Sequence, residues 1–136
     1  MEYVSSFTYC DSIQTQMTDK GPINQIVSPL QMLAPIAIPG NFSFAISGCI
    51  MGLDVEKENI IRISFVSPSG EVAFDTQEIT IQLPRDVKTQ DIPNFMQFNL
   101  DLRNIVIKEL GLYITKIEAN KETIGEYKIQ VIKGVI

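Results

Sequence analysis

Carboxylates are the most numerous side chains in this sequence that could do acid–base chemistry, since Asp and Glu together account for 16 of the 136 residues. Two of them placed across a cleft could act as general acid and base. The sequence contains no histidine, which excludes a His-containing catalytic triad, an imidazole proton shuttle and a histidine zinc ligand. Most carboxylates, such as Glu71 and Glu118, fall on polar faces or in turns, so we predict that the protein is not an enzyme.

Aspartates in loops could also bind calcium, which prefers oxygen ligands. Asp86 and Asp91 share one predicted loop, and Asp11 and Asp19 flank another. The sequence has no Asp-x-Asp-x-Asp run, so solvent-exposed turn aspartates are the better interpretation. We therefore predict neither a metal site nor a cofactor.

The two thiols, Cys10 and Cys49, each lie in an apolar run typical of a strand. A reactive thiolate needs a nearby positive charge, whereas Cys10 is followed by Asp11, whose charge raises the pKa of the thiol. We expect two reduced, small hydrophobic residues in a cytoplasmic protein. The N-terminus shows no signal peptide and no apolar run reaches the ~18–20 residues of a membrane helix, so no membrane contact is predicted.

Phosphate recognition receives little support from the charges. The formal net charge is −5, and the 11 Lys and Arg residues are spread along the chain, so nucleic acid is not an expected partner. The glycine-containing run 48–52 lacks the Gly-Lys-Ser/Thr ending of a phosphate-binding loop.

The elements that must position these side chains show a period of two. Apolar and polar residues alternate in six runs, at 3–9, 42–50, 61–66, 78–83, 98–103 and 127–132. This pattern is typical of antiparallel strands with one solvated face. We predict one all-β domain over residues 1–136, an immunoglobulin-like antiparallel β-sandwich of about seven to nine strands with Greek-key connections. A jelly roll or a barrel is the alternative.

Turn and corner signals support the sandwich. The segment 67–71 and the pair Asn120–Lys121 suit hairpin loops. Gly111 and Tyr113 form a Gly-x-Tyr sequence, which in immunoglobulin-like domains places a tyrosine at a corner, bonded to a nearby backbone carbonyl. Segments 28–41 and 84–95 carry prolines and are predicted loops, with a short helix possible at 28–34 or 103–110.

The alternation slips by one residue near Arg103 and Asn104. Leu102 follows one phase, whereas Ile105 and Ile107 follow the other. One extra residue in the strand would reset the buried face, so we predict a β-bulge at this position.

Several segments, in this order, resemble a family of small bacterial and prophage-encoded proteins of uncharacterised function. They are residues 7–12, 39–44, 98–104, 111–113 and 124–127. The resemblance covers almost the whole chain and implies a single β-sandwich in a bacterial or phage cytoplasm. It implies no catalytic residues.

Five polar residues inside these segments are candidate binding residues: Asp11, Ser12, Asp101, Arg103 and Asn104. The structural explanation is an Asx turn at Asp11 and side-chain bonds at the Asn104 bulge. The functional explanation is a ligand or partner site.

We predict a non-enzymatic binding or assembly module that recognises a protein partner or forms a homodimer. Strand edges and the apolar C-terminal run 131–136 could both promote pairing between chains. The alternative is a bacterial or phage protein that sequesters a small nucleotide signal, with Arg103 meeting the phosphate.

Overall fold

The computed structural model describes residues 1–83 and 94–134, which form strands, turns and irregular segments but no helix. The strands are β1 (Tyr3–Thr18), β2 (Gly21–Pro29), β3 (Met32–Leu33), β4 (Gly40–Met51), β5 (Asn59–Val66), β6 (Val72–Asp75), β7 (Ile79–Ile81), β8 (Phe95–Ile107), β9 (Gly111–Ala119) and β10 (Glu122–Val131). The described residues contain ten strands, one more than the upper end of the predicted range. The two-residue strand β3 lies in a predicted loop, whereas the three-residue strand β7 lies within the predicted run 78–83.

The strands form two sheets that are not closed into a barrel. The first sheet has the order β2-β1-β4-β8, and all its pairings are antiparallel. The second has the order β3-β10-β9-β5-β6, with β7 also paired to β5. Its β3–β10 pairing is parallel. The protein is an all-β, immunoglobulin-like sandwich, as predicted.

The two possible helices were wrong predictions. Residues 28–34 contain the end of β2 and the short edge strand β3, and residues 103–110 contain the end of β8 and the turn before β9. Strand pairing supplies backbone hydrogen-bond partners in both places, and neither segment has a helix cap to compete with it. The predicted loop 28–41 is irregular apart from those strand ends and the first residues of β4. Most of the predicted loop 84–95 lies outside the described residues.

The core lies between the inner faces of the sheets, as the alternation predicts. In β5, Ile61, Ile63 and Phe65 are buried, whereas the residues between them are half-buried. The other large buried side chains come mainly from β4, β8, β9 and β10, among them Phe44, Ile46, Leu102, Tyr113, Ile117 and Val131. Each such side chain contributes ~1.5–3 kcal/mol of hydrophobic stabilisation.

Gly48 shows why the centre of β4 needs a residue without a side chain. It pairs with Phe7 of β1 on one side and Phe98 of β8 on the other. A Cβ atom at this position would clash with Cζ of Phe98 and would lie 2.7 Å from the Ser6 carbonyl oxygen. The glycine therefore leaves room for the Phe98 ring to pack over the strand.

The tyrosine corner is present. The Tyr113 hydroxyl donates to the Glu109 carbonyl oxygen at 2.9 Å, and its ring stacks on Phe65 with centroids 5.1 Å apart. Both predicted hairpin loops are also present. Asn120 and Lys121 have φ angles of 51° and 70°, which suit a tight turn, and the loop 67–71 joins the antiparallel strands β5 and β6. These local contacts fix β9 and β10 in the second sheet.

Candidate functional site

Two of the predicted site residues, Asp11 and Asp101, lie near the thiol of Cys10. Cys10 of β1 pairs with Ala45 of β4, and Ala45 pairs with Asp101 of β8, so the three residues form one row across the first sheet. Burial raises the pKa of the Cys10 thiol, and the negative charges of Asp11 and Asp101 raise it further. A thiol in this setting stays protonated and is a poor nucleophile.

Cys49 does not pair with Cys10 in a disulfide, and both thiols are free. Cys10 is buried, whereas Cys49 is half-buried and lies 3.7 Å, Sγ to Sδ, from Met51. Buried, unreactive Cys10 fits the predicted small hydrophobic residue.

Arg103 forms an ion pair with Asp101, with its Nη2 atom 2.8 Å from the Asp101 Oδ1 atom. Both side chains are more than half exposed, at 54% and 60%. A pair this exposed contributes little to stability. The Arg103 guanidinium, which the nucleotide hypothesis needs for a phosphate, thus already lies beside the Asp101 carboxylate of the same strand.

Asn104 lies at the predicted β-bulge, which the structure confirms. On β4 one residue, Ser43, separates Phe42 from Phe44, whereas on β8 two residues lie between the corresponding partners Leu102 and Ile105. The backbone of Asn104 has φ 54°, and its N–H donates to the Ser43 hydroxyl at 3.0 Å. Asn tolerates this left-handed conformation better than most residues, which gives Asn104 a structural explanation.

Asp11 and Ser12 do not form the predicted Asx turn. Both lie inside β1, and Ser12 pairs with Val27 of β2. The loop that Asp11 and Asp19 were expected to flank is therefore a strand, because pairing with β2 overrides the turn preference of Asp and Ser. The other aspartates considered for calcium, Asp86 and Asp91, lie outside the described residues.

Asp11 instead marks the base of a feature that the sequence reading missed. Beyond Cys10, β1 no longer pairs with β4 and keeps β2 as its partner, up to the turn at Asp19 and Lys20. We call residues 11–18 of β1 and 21–29 of β2 the β1–β2 arm. Eight residues of strand give it a length of about 26 Å.

The arm exposes apolar side chains. Met17 is 77% exposed and Ile23 49%, and Ile13 lies directly across from Ile26, which is 39% exposed. None of its apolar residues belongs to the core of the described chain or to the side chains packed against it. A two-stranded ribbon of this kind is only marginally stable alone in water.

The sequence does carry a signal for the arm. Residues 12–18 and 21–29 contain no charged residue, and the polar pair Asp19–Lys20 separates them as a hairpin turn would. Exposed edge strands are normally protected by charged residues, above all lysine. The absence of charge along an exposed ribbon therefore distinguishes this region from ordinary solvated surface.

A cleft away from the arm has a mixed lining whose charged groups bond to neighbouring side chains. This cleft of about 190 Å³ lies beside Tyr113, and there the Lys108 ammonium is 2.7 Å from a Glu71 carboxylate oxygen. Nearby, the Ser69 hydroxyl donates to Glu109 at 2.6 Å. Within residues 1–83 and 94–134, no group of three Cys, Asp or Glu residues is placed to hold a metal ion.

A wider groove of about 510 Å³ runs between β1 and β10, where the rings of Phe7 and Tyr127 stack with centroids 4.1 Å apart. Tyr9 is one of its lining residues, and the Tyr9 hydroxyl is bonded to Thr115 and to the Tyr127 carbonyl. Burial raises the pKa of Tyr9 to about 12, so the phenol is neutral near pH 7 and supplies no general base.

Residues 5–132 match the sequence profile of a family of unknown function, DUF6941. The chain belongs to this family. Membership agrees with the resemblance to uncharacterised proteins and assigns no chemistry to any residue. A search of curated proteins gives no match.

Solved structures are similar in fold. A β-glucosidase from Listeria innocua matches 100% of this chain with a TM-score of 0.50 at 10% identity, and the match spans 16% of that chain. An immunoglobulin-like protein from Pseudomonas aeruginosa matches over 97% of both chains with a TM-score of 0.49 at 9% identity. A DNA glycosylase from Pseudomonas fluorescens, bound to DNA, matches 92% of this chain and 30% of its own, with a TM-score of 0.45 at 8% identity. At such identities the likeness concerns the fold alone.

No helix in the described residues is long and apolar enough to cross a membrane.

Proposed function

We propose that the protein is a non-enzymatic binding module and that the β1–β2 arm is the surface with which it binds another protein chain. The observation that carries this proposal is the arm itself, a ribbon outside the core whose outer edges have no strand partner among the described residues. A bacterial or phage cytoplasm is the setting that we propose, since both cysteines are free.

The chemistry of the arm suits addition of a strand. Each open edge presents backbone N–H and C=O groups that another extended segment can pair with. The exposed side chains of Ile26 and Met17, together with the half-buried Ile13, would add apolar contacts on the face of the ribbon. Covering them would also stabilise the arm, because a third strand adds the hydrogen bonds and apolar contacts that a two-stranded ribbon lacks.

The polar groups elsewhere support binding over catalysis. Tyr9, Lys108 and Arg103 each form a hydrogen bond or an ion pair with a neighbouring side chain. Pairing of this kind fits a structural role for these groups. Nucleotide sequestration, the alternative from the sequence, depends on Arg103. Among the described residues, the contact that the Arg103 guanidinium makes is an ion pair with Asp101, which does not favour a phosphate there.

A pair of matched variants tests the proposal. Ile13→Lys/Ile26→Lys places two charges on the arm, and Ile36→Lys/Ile132→Lys places two charges at exposed isoleucines outside it. Circular dichroism would establish that both variants fold. We expect the arm variant to weaken association at least tenfold, whether measured by sedimentation of the purified chain or by affinity capture of a stoichiometric partner. The control variant should associate as the wild type does.

Two results would overturn the proposal. One is a wild-type chain that stays monomeric at high concentration and retains no stoichiometric partner. The other is an association that the arm variant and the control variant preserve equally.

A further inference from the structure

We propose that the chain bound by the arm is a second copy of the same protein, and that the two arms pair antiparallel, β1 against β1, about a twofold axis at Thr15. This inference rests on the proposed function of the arm and names its partner and register.

The composition of the two open edges favours β1 as the pairing edge. β2 contains Pro22 and Pro29, which have no backbone N–H to donate to a neighbouring strand. Residues 11–18 of β1 contain no proline. Proline on an edge strand is a common protection against unwanted pairing, and the β1 edge lacks that protection.

The charges favour a second copy over an unrelated protein. Between Asp11 at the base of the arm and Asp19 at its tip, β1 carries no charge that could attract an oppositely charged partner. A twofold contact needs no such attraction, since the same surface meets itself and every contact away from the axis occurs twice. The net charge of −5 on each copy opposes association in general, and the uncharged arm is a region where that repulsion is weakest.

The side-chain pattern selects the register. Ile13, Thr15 and Met17 lie on one face of β1, because side chains alternate along a strand. Antiparallel pairing about Thr15 places Ile13 opposite Met17 of the second copy. Ile13 already lies beside Ile26, and Met17 beside Pro22, so an apolar row would cross all four strands. Sliding the second copy by one residue would place Gln16 or Thr18, instead of Met17, opposite Ile13. Hydrophobic matching therefore favours the proposed register.

A cysteine at the axis tests this arrangement. Opposed Cα atoms in antiparallel strands are ~4.5–5.5 Å apart, within the range that a disulfide spans. In Thr15→Cys, two thiols on different copies would be oxidised by glutathione disulfide, which accepts the electrons and protons and leaves as two molecules of glutathione. The matched control is Thr123→Cys, at an exposed threonine of β10. Cys10 and Cys49 are present in both variants.

We expect the covalent dimer of the Thr15→Cys chain to form at least tenfold faster than that of the Thr123→Cys chain. A charge pair provides an independent check. Thr15→Lys and Thr15→Glu should each weaken self-association, because like charges oppose each other at the axis, and mixing the two variants should restore a heterodimer. Equal cross-linking of the two cysteine variants, or no heterodimer on mixing, would overturn the inference.

The outcomes also separate this inference from the proposed function. Suppose that the cysteine cross-linking and the charge-pair mixing both fail, yet the wild type binds a different protein that the Ile13→Lys/Ile26→Lys variant does not bind. That result contradicts only the second-copy arrangement. If both tests fail and the wild type also retains no protein partner, the second-copy arrangement and the proposed function are both contradicted.

Discussion

The hydroxyl oxygens of Tyr9 and Thr115 lie 2.6 Å apart in the buried core and join the two sheets. The Tyr9 hydroxyl also donates to the Tyr127 carbonyl oxygen at 3.0 Å. Because Tyr9 has a single hydroxyl proton, Thr115 is the donor in the bond between the two side chains. The contact satisfies two buried polar groups and fixes β1 against β9 and β10 just before the arm begins.

Removing the Tyr9 hydroxyl should destabilise the fold. Tyr9→Phe leaves the Thr115 hydroxyl and the Tyr127 carbonyl without their buried partner, and we expect the free energy of unfolding to fall by ~1–3 kcal/mol. Urea unfolding measures the change. Tyr3→Phe is the control. Because Tyr3 is 52% exposed, this variant should unfold at the same urea concentration as the wild type. The same urea midpoint for Tyr9→Phe and wild type would contradict the structural importance of this bond.

The Tyr9 phenol also predicts how stability depends on alkaline pH. Burial raises its folded-state pKa to about 12, whereas the unfolded chain has a value of about 10. Its contribution to stability is therefore complete below pH ~10 and is lost as the pH rises towards the folded-state pKa. Urea unfolding between pH 8 and 11.5 should show a steeper loss of stability for wild type than for Tyr9→Phe. Parallel curves would contradict the raised pKa.

The bulge at Asn104 predicts an order among substitutions. Asn104→Gly should leave stability nearly unchanged, because glycine adopts positive φ without strain. Asn104→Val should lower the free energy of unfolding by ~1–3 kcal/mol, because a β-branched residue is strained at φ 54°. Asn41→Val, at an exposed position in β4, is the control and should cost much less. Thermal unfolding measures the series, and equal losses at positions 41 and 104 would be inconsistent with backbone strain.

Local signals explain which parts of the fold could be predicted. The tyrosine corner depends on Gly111 and Tyr113, two residues apart, and the bulge depends on a phase slip within a few residues of Asn104. Strand alternation likewise needs only the nearest neighbours along the chain. Each of these features is determined by contacts that short stretches of sequence specify.

The arm depends on a relationship between distant segments, which explains why the sequence reading missed it. The pairing of β1 with β4 ends where Cys10 lies opposite Ala45. These two residues are 35 positions apart in the sequence, so the end of the pairing depends on a distant segment. The uncharged run 12–18 does not show where β1 leaves β4, and the turn preference of Asp11 and Ser12 pointed to a loop. The candidate residues Asp101 and Arg103 were correctly placed on a polar face, but their mutual ion pair is visible only in three dimensions.

Amide hydrogen exchange tests the central claim, that the arm is a binding surface completed by another chain, most directly. At concentrations below the dissociation constant, we expect the amides of residues 11–18 to exchange far faster than those of β4 and β9, because a two-stranded ribbon is marginally stable. As the concentration rises, or as a captured partner is added, protection of residues 11–18 should increase at least tenfold while β4 and β9 stay unchanged. Arm amides that are as protected as β4 in dilute solution, or that exchange at the same rate under every condition, would contradict the account.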